Sequence, residues 1–557
     1  MTKTKPNPIL RLMPSLTDVA FLLPLILLFG GLEGVRNMLG DGDTGWHIRI
    51  GDWILAHRQV PQQDMFSFTK PGQPFFAWEW LWDVGAAWLH RHWGLEAVVL
   101  ASLLVISFST ALLYRLVYRR CGNPLVSILL TGLAAATASM HWLARPHLIT
   151  MLMMVVFLAI LESVREGRTR LLWTLPALMI PWANLHGGFL IGIVILGTYA
   201  AGELLRAIVT RVSEERRTSL RMAALYLAAT AGCLLASLVN PYGYRLYTHL
   251  IEYFGDPYAM KYIQEFQATN FHTPAAAFLE IMLILGLGAA IWYGRRRQFT
   301  EVLLIAGFGH LSLVVVRNMP IYVLAVAPII AVPLVAWLKA LAQAPIAEWI
   351  KTVFGTFVEI SEELIPFERP WRVHVAPLIV MLLLTVAIAS PSAGIKFKPE
   401  YDPKAYPEKA LAQQQLFEPA RRVFTQDDWG DYLIYKLSPQ GLKVFVDGRS
   451  DFYGGKFGQE YIDVLNVKYT WQQTLDRYGV DTILMPTDAP LTGALKESRR
   501  WRVAYDDGMA IVFRPAAAAR MEQVFTGTAG GNGGGREITS IKHGIPGDHL
   551  NRKLEEY

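Results

Sequence analysis

Two carboxylates stand two residues apart near the N-terminus, at Asp41 and Asp43, directly after a long apolar run. A carboxylate in such a place can act as a general base, and Asp43 is the first choice for that role, with Asp41 second. The Asp-x-Asp spacing would also suit two ligands of a divalent metal, the one cofactor that the sequence leaves open. The third interpretation is a solvated loop whose Asp43 or Thr44 caps a helix beginning near Gly45.

A third acid, Glu79, lies between Trp78 and Trp80, with Trp82 close behind. Apolar surroundings disfavour an ionised carboxylate and raise its pKa, so Glu79 is a candidate catalytic acid. The alternative is a polar residue at a membrane interface. The sequence does not decide between the two.

Cationic, imidazole and amide side chains that could hold an anion or a sugar come from separate segments. Arg145 and Arg317 are the preferred pair, because a guanidinium group binds phosphate through two parallel hydrogen bonds. Ordinary interfacial snorkelling is the alternative for both. Further binding candidates are His47, His147, His186, His272, Arg245, Lys261 and Asn184. With no HxxxH or HExxH pattern, structural histidines are favoured over a metal site.

The composition indicates what must position these residues. Hydrophobic residues make up 53% of the 557 residues and charged residues 18%, whereas soluble proteins carry about 25% charge. The apolar residues fall in runs long enough to form about eleven membrane-spanning helices. The predicted spans are 19–39, 95–117, 124–142, 147–163, 171–183, 189–205, 221–239, 276–293, 301–316, 320–339 and 375–391.

The arginines predict the orientation. They concentrate in alternate short loops, for example at 115–120, 165–170 and 295–297, and the N-terminus carries Lys3 and Lys5 on the same side. The positive-inside rule makes that side cytoplasmic, and an odd number of spans places the C-terminal part outside. The net charge of +6 therefore reports topology and not a nucleic-acid surface. All the candidate site residues then fall on the outer side.

Three regions follow from the pattern. Residues 1–391 form the membrane domain, in which the first outer loop, 40–94, carries two amphipathic helices suited to the membrane interface and resembles a lid. The inner stretch 340–373 is expected to lie along the inner surface. Residues 392–525 predict a small α/β domain with strands near 444–446 and 482–485 and a hairpin at 501–514. Residues 526–557 predict a disordered tail.

In the predicted α/β domain, Asp447, Arg449 and Asp451 follow a strand end, a position that often builds a binding site. A structural ion pair and turn is the alternative for these three residues.

Short motifs in both domains resemble a largely uncharacterised group of bacterial multi-pass membrane proteins. The matching segments are Asp-Thr-Gly-Trp-His at 43–47, Gly-Asp-Trp-Ile-Leu at 51–55, Val60-Pro61, Phe-Ser-Phe-Thr at 66–69, Glu-Trp-Leu at 79–81, Asp-Trp-Gly at 428–430, Val-Asp-Gly-Arg at 446–449 and Tyr-Gly-Val-Asp at 478–481. The resemblance covers most of the chain. The group is similar in architecture to the GT-C type glycosyltransferases.

This resemblance implies an enzyme that moves a hexosyl or pentosyl group from a polyprenyl-phosphate-linked donor to a glycan, lipid or protein acceptor. The reaction would take place on the outer face of the bacterial cytoplasmic membrane, with an essential acid in the first outer loop. Inverting transfer needs a base for the acceptor and cations for the leaving phosphate. A nucleotide sugar and a nucleic-acid partner are not expected, because no nucleotide-binding motif is present.

Two other functions stay open at this point. One is a transporter or flippase for a lipid or glycan, although charges within the spans are few and no repeat is evident. The other is a non-catalytic membrane subunit that scaffolds an envelope assembly.

Overall fold

The computed structural model describes residues 12–31, 34–345, 347–368, 374–389, 399–418 and 421–516. The predicted tail at 526–557 and the predicted domain boundary at 391 lie outside these residues.

Eleven of the helices correspond to the eleven predicted apolar runs, so the polytopic helical fold is confirmed. They are α1 (Leu16–Gly31), α3 (Trp80–Cys121), α4 (Pro124–Ala138), α5 (His147–Arg165), α6 (Thr174–Leu185), α7 (Leu190–Val209), α8 (Ser213–Ser237), α11 (Pro274–Gly294), α12 (Phe299–Val314), α13 (Met319–Gln343) and α15 (Val375–Ala389). Among the described residues, seven helices are long and apolar enough to cross a membrane. The other apolar helices are shorter.

The remaining helices lie in the connections and in the C-terminal domain. They are α2 (Asp43–His57), α9 (Arg245–Phe254), α10 (Pro257–Tyr262), α14 (Glu348–Leu364), α16 (Glu408–Leu411), α17 (Asp427–Leu437), α18 (Ser450–Leu465), α19 (Trp471–Arg477) and α20 (Pro490–Glu497).

Of the two spans that flank the first loop, α1 departs from its predicted end, whereas α3 has a kink where its span was predicted to begin. The helix α1 ends at Gly31, and a 3₁₀ helix over Gly34–Leu39 leads to the first loop, where one continuous span to residue 39 was predicted. In α3, Trp93 and Gly94 have non-helical dihedral angles, and Gly94 has a positive φ of 76°. Because a positive φ strains residues that carry a Cβ, glycine allows this kink. The kink separates the loop part of α3 from its spanning part.

The loops that were predicted to be cytoplasmic meet at one end of the helix bundle, here called the arginine rim. The buried carboxylate of Glu301 accepts hydrogen bonds from Arg165 (2.5 Å) and Arg120 (3.1 Å). Arg119 binds Glu166, and Arg115 donates to the backbone oxygen of Glu368. The charged loops therefore converge as the alternation of arginines predicted.

The helix α14 packs against α13 and α4 beside the arginine rim, in the stretch 340–373 that was predicted to lie along the inner membrane surface. It begins after α13 ends at this rim, and the 3₁₀ turn Ile365–Glu368 that follows it returns to the same rim. There the Glu368 carboxylate accepts the backbone N–H of Leu16 (2.6 Å) and the hydroxyl of Thr17 (3.2 Å). Trp349, Val353 and Ile360 form one exposed apolar stripe on α14, and such a stripe suits a helix lying in a membrane surface.

The C-terminal domain contains a five-stranded mixed sheet covered by helices, so the predicted α/β class is confirmed. Its strands are β1 (Arg422–Phe424), β2 (Lys443–Val444), β3 (Thr482–Pro486), β4 (Trp501–Asp506) and β5 (Ala510–Pro515), in the order β2-β1-β3-β5-β4. β1 runs parallel to β2 and β3. β5 runs antiparallel to β3 and β4, which confirms the predicted hairpin.

The first loop adds a segment to the open edge of this sheet. Val444 donates its N–H to Phe66 O (2.9 Å), and Phe68 donates to Val444 O (3.1 Å), in a parallel bridge. The Thr69 hydroxyl donates to Phe445 O (2.8 Å). The loop thereby covers backbone groups that would otherwise be an unpaired edge.

A buried charge cluster fixes the same junction, and we call it the Arg449 cluster. The Arg449 guanidinium donates two hydrogen bonds to Asp447 (both 2.7 Å) and one to Asp64 of the first loop (2.8 Å). The Arg449 and Asp447 side chains are almost fully buried, and Tyr453 also donates to Asp447 (2.7 Å). Of the two predicted roles for Asp447 and Arg449, these contacts favour the structural ion pair.

The helix α2 differs from its predicted place at the membrane interface. Trp46, Ile50 and Ile54 are buried, because α2 is enclosed between α3 and α17 of the C-terminal domain. Glycines permit both contacts. A Cβ on Gly51 would lie 1.9 Å from the backbone oxygen of Asp83 in α3, and a Cβ on Gly45 would lie 2.6 Å from the Cβ of Tyr435 in α17. The sequence of α2 indicated one apolar face, but it did not indicate that the C-terminal domain covers the opposite face of the helix.

Candidate active site

The opposite end of the bundle, here called the site rim, gathers most of the predicted site residues. Asp43 is the first residue of α2, but it does not cap the helix through its side chain. Its Oδ1 accepts a hydrogen bond from the Trp46 indole N–H (3.0 Å), and its Oδ2 lies 2.6 Å from Arg145 Nη2. Asp41 Oδ1 accepts the N–H of Asp43 (2.8 Å). The two predicted carboxylates are therefore held side by side.

Arg145 is the centre of this acidic cluster. Its Nη1 also lies 2.7 Å from Asp41 Oδ2 and 2.9 Å from Glu265 Oε1. Arg317 Nη1 approaches the other oxygen of Glu265 at 3.5 Å, so the cluster joins residues 43 and 317 on one rim. Three carboxylates face two guanidinium groups, which leaves an excess of acid.

This excess affects the pKa values. Burial raises the pKa of Asp41 to about 6, although Arg145 opposes the shift. Burial also acts to raise the pKa of Glu265, but Arg145 and Arg317 outweigh it and hold that pKa well below its usual range. Asp41 and Glu265 thus differ in proton affinity while sharing one arginine.

Glu79 forms a second group deeper in the site rim. One of its oxygens lies 3.7 Å from His47 Nε2 and the other 3.5 Å from His186 Nε2. Burial raises the pKa of Glu79 to about 8, against the lowering effect of Arg317 and Arg145. Near neutral pH this raised pKa favours the protonated, neutral form of Glu79.

The two histidines are neutral and oriented. His47 contacts Asp83 through Nδ1 (2.6 Å), and burial lowers the pKa of the His47 imidazole well below its usual value. His186 Nδ1 accepts the Gly188 N–H (3.0 Å) and lies 2.7 Å from the Thr150 hydroxyl. Since Nδ1 of His186 accepts, its proton must sit on Nε2, which faces Glu79. Burial likewise lowers the pKa of His186, with Arg317 adding to the effect.

The raised pKa of Glu79 gives a stability prediction. In the folded protein Glu79 keeps its proton up to about pH 8, whereas the ordinary glutamate value is 4.5. Between these values the folded state binds more protons than the unfolded state, so stability falls as the pH rises. Glu79→Gln removes this titration. We expect the melting temperature of Glu79→Gln, relative to wild type, to increase from pH 5 to pH 8.

The measurement is thermal unfolding of the full-length protein across that pH range. Glu460→Gln is the matched control, because Glu460 lies in a partly exposed ion pair with Arg477 and should leave the pH slope unchanged. Parallel slopes for wild type and Glu79→Gln would mean that Glu79 is ionised in the folded protein.

The C-terminal domain contributes an acid that sequence analysis missed. Asp431 of α17 is fully buried, and its Oδ1 accepts the N–H of Gly448 (2.8 Å). Its Oδ2 has no hydrogen-bond partner among the described residues. A Cβ on Gly448 would lie 2.7 Å from this Oδ2 and 2.3 Å from Asp43 Oδ1, so the two oxygens are at most about 5 Å apart. Burial raises the pKa of Asp431, and the Asp43 and Asp447 carboxylates add to the rise.

Gly448 therefore determines how closely the domain approaches the first loop. We expect Gly448→Ala to lower the melting temperature, at a cost of about 1–3 kcal/mol, because the new methyl group would overlap both carboxylates. Gly493→Ala is the control, since a Cβ at Gly493 in α20 meets nothing within 4 Å and alanine favours a helix. Equal melting temperatures for wild type and Gly448→Ala would contradict the close packing of Asp43 against the domain.

The other predicted binding residues are placed unequally. His147 donates to His141 O (2.6 Å), and its ring centre lies 6.4 Å from that of His186, beside the Glu79 group. Asn184 accepts the Trp80 indole N–H (2.8 Å) and so supports the segment that carries Glu79. Arg245 lies over the Phe76 ring (5.6 Å). His272 is exposed and bonds to Asn270 through its backbone N–H, so it does not join the cluster.

Two further suggestions from the sequence concern Lys261 as a phosphate ligand and Asp41 with Asp43 as metal ligands. Lys261 lies over the ring of Tyr262 (4.8 Å) and not at Arg145. Asp41 and Asp43 both bind Arg145, and within the described ranges no group of three or more His, Cys, Asp or Glu side chains is placed to hold a metal ion.

Two members of the site, Glu265 and Asp431, were not singled out in advance. Glu265 stands in the long stretch between α8 and α11, which also contains Glu252 and Asp256, and no motif marked it as a site residue. Asp431 follows the Asp428-Trp429-Gly430 motif by one residue, and that proximity was the one available indication.

Comparisons with known proteins agree with this architecture. No protein-family model and no curated protein matches the chain. Among solved structures, an oligosaccharyltransferase of Archaeoglobus fulgidus, tethered to an acceptor peptide, matches over 90% of this chain and 74% of its own, with 12% identity and a TM-score of 0.53. ArnT of Cupriavidus metallidurans bound to undecaprenyl phosphate matches over 90% and 97%, with 17% identity and a TM-score of 0.41.

The oligosaccharyltransferase, whose TM-score exceeds 0.5, is a glycosyltransferase of the GT-C type. The resemblance that the sequence motifs indicated is thus supported by the three-dimensional structure. The described part of this chain combines apolar, membrane-capable helices with a small C-terminal sheet domain, as the sequence predicted. This chain has the GT-C fold.

Proposed function

We propose that the protein is a membrane glycosyltransferase that takes a sugar from a polyprenyl-phosphate-linked donor and attaches it to a glycan, lipid or protein acceptor. The observation that carries the proposal is the position of Asp41 and Asp43. In a chain with the GT-C fold, these carboxylates follow the 3₁₀ helix Gly34–Leu39 at the start of the first loop and are held by Arg145 at the site rim. A donor anchored in the bilayer could present its phosphate at this rim.

We assign the role of general base to Asp43. The acceptor oxygen would form a bond to C1 of the sugar while the C1–O bond to phosphate breaks, and the phosphate would leave with the electron pair. The acceptor proton would pass to the Asp43 carboxylate. Trp46 and Arg145 fix the two oxygens of this carboxylate, and such preorganisation favours the reacting geometry.

The contacts divide the two preferred arginines between different roles. Arg145 is occupied by three carboxylates, so we assign it the positioning of Asp43. Arg317 has about one third of its side chain exposed; it lies 3.5 Å from Glu265 and over the ring of Phe266 (5.7 Å). Its guanidinium is therefore the better ligand for the leaving phosphate.

Glu79 would take part as a hydrogen-bond donor. A neutral acid beside two neutral imidazoles can donate to a sugar hydroxyl or to a phosphate oxygen without adding negative charge. This role needs the proton that burial keeps on Glu79 near neutral pH.

The proposal is tested with the purified full-length protein in lipid nanodiscs. Polyprenyl-phosphate donors that carry different isotopically labelled sugars are supplied together with envelope glycan, lipid and protein fractions. Transfer of label from one donor class to one fraction would support the proposal. If no donor is consumed, while labelled lipid crosses the membrane in proteoliposomes, the transporter reading replaces it.

A further inference from the structure

A crevice of about 400 Å³ opens at the arginine rim, between α3, α5 and the turn that follows α14. Much of its wall is apolar and comes from Leu112, Leu116, Ala159 and Ile365. Arg115 and Arg119 also line it. It is remote from the candidate active site, which lies at the other end of the bundle.

The crevice is polar at one end and apolar at the other. A helix rises 1.5 Å per residue, so along α3 Leu112 lies about 4.5 Å from Arg115 and about 10 Å from Arg119. The helix ends at Cys121 on the arginine rim. Both arginines therefore lie closer than Leu112 to the rim end of α3, and this order along the helix would suit the headgroup and an acyl chain of one phospholipid.

Arg115 supplies a guanidinium group that has no carboxylate within hydrogen-bond distance among the described residues. Arg119 is committed to Glu166 (2.7 Å) and Ser163 (2.8 Å). Arg115 donates to the backbone oxygen of Glu368 (3.0 Å), while the nearest carboxylate oxygen among the described residues, also of Glu368, is 3.9 Å away. That carboxylate is already engaged by the N-terminus of α1. One third of the Arg115 side chain is exposed, so its guanidinium can receive an anion.

We propose that this crevice binds one anionic phospholipid, with the phosphate on Arg115 and an acyl chain along Leu112, Leu116 and Ile365. The excess of arginine predicts that this rim faces the cytoplasm, and cytoplasmic leaflets are rich in anionic lipids. The bound lipid would join α3 to the turn after α14 and hold that helix on the membrane surface. The site is independent of the proposed transferase activity.

The test is native mass spectrometry of the full-length protein in mild detergent, after addition of phosphatidylglycerol or phosphatidylcholine with identical acyl chains. We expect wild type to retain one phosphatidylglycerol in preference to phosphatidylcholine. Arg115→Ala should lower that retention about fivefold, the contribution of one arginine near an anionic surface. Arg115→Lys should keep part of it. Arg296→Ala is the control, since Arg296 is on the same rim but stacks on Trp292.

A second variant tests the apolar half of the site and does not depend on the charge. Ala159→Phe fills the crevice and should also reduce retention of phosphatidylglycerol. Equal retention of the two lipids by wild type would overturn the proposal, as would a wild-type level in both Arg115→Ala and Ala159→Phe. Absence of any retained lipid would mean that the chain itself closes the crevice, and it would overturn the proposal as well.

Discussion

Asp43→Asn is expected to lower the rate of sugar transfer by about 10²–10⁴-fold, the usual contribution of a general base. Asparagine can still accept the Trp46 hydrogen bond, but it cannot take a proton from the acceptor. Arg145 keeps its contacts with Asp41 and Glu265, so the fold should survive the change. The measurement is the initial rate of label transfer by full-length protein, with size-exclusion chromatography as the check on folding.

Asp476→Asn is the matched control for this substitution. Asp476 lies in a partly exposed ion pair with Arg500 in the C-terminal domain, and its loss should change the transfer rate little. If Asp43→Asn retains the wild-type rate, Asp43 is not the base, and Asp41 becomes the next candidate.

Arg449→Ala is expected to destabilise the protein by about 3–5 kcal/mol, because it leaves the Asp447 and Asp64 carboxylates buried without their cation. Arg449 is also packed between aromatic rings, with its guanidinium carbon 4.8 Å from the centre of Phe75 and 5.1 Å from that of Phe66. Both losses fall on the junction between the first loop and the domain. Thermal unfolding and limited proteolysis of the full-length protein would detect the release of that junction.

Arg477→Ala provides the comparison for Arg449→Ala. Arg477 is more than half exposed and pairs with Glu460, and such a surface pair contributes about 1 kcal/mol or less. Arg449→Lys should fall between the two, since it keeps a charge but not the forked geometry. A similar loss from Arg449→Ala and Arg477→Ala would contradict the role given to the Arg449 cluster.

The membrane domain was predictable from sequence because its rules are local. Hydrophobic runs specify spans and arginines specify sides, and both signals are read within one segment. The same rules correctly brought Asp43, Arg145, His186 and Arg317 to one rim. Bends within helices were less predictable, since Gly94 with its positive φ kinks α3 without a break in the surrounding sequence pattern.

The rest of the site depends on contacts between distant parts of the chain. Arg145 was selected as a phosphate ligand, but its actual partners come from the first loop and from residue 265. The burial of α2 depends on α17, which no periodicity in residues 43–57 encodes. Asp431 faces Asp43 only because Gly448 and Gly42 allow two backbones to approach, and a sequence motif does not contain that information.

The parallel bridge between residues 66–69 and the sheet edge has a consequence for biogenesis. At about 5–20 residues per second, the ribosome needs some tens of seconds to travel from this segment to its partner at Val444. During that interval residues 66–69 have already been translated but lack their hydrogen-bond partners, while the helices between residue 69 and Val444 insert into the membrane. The first loop must therefore remain without this pairing until the later-translated C-terminal domain folds against it.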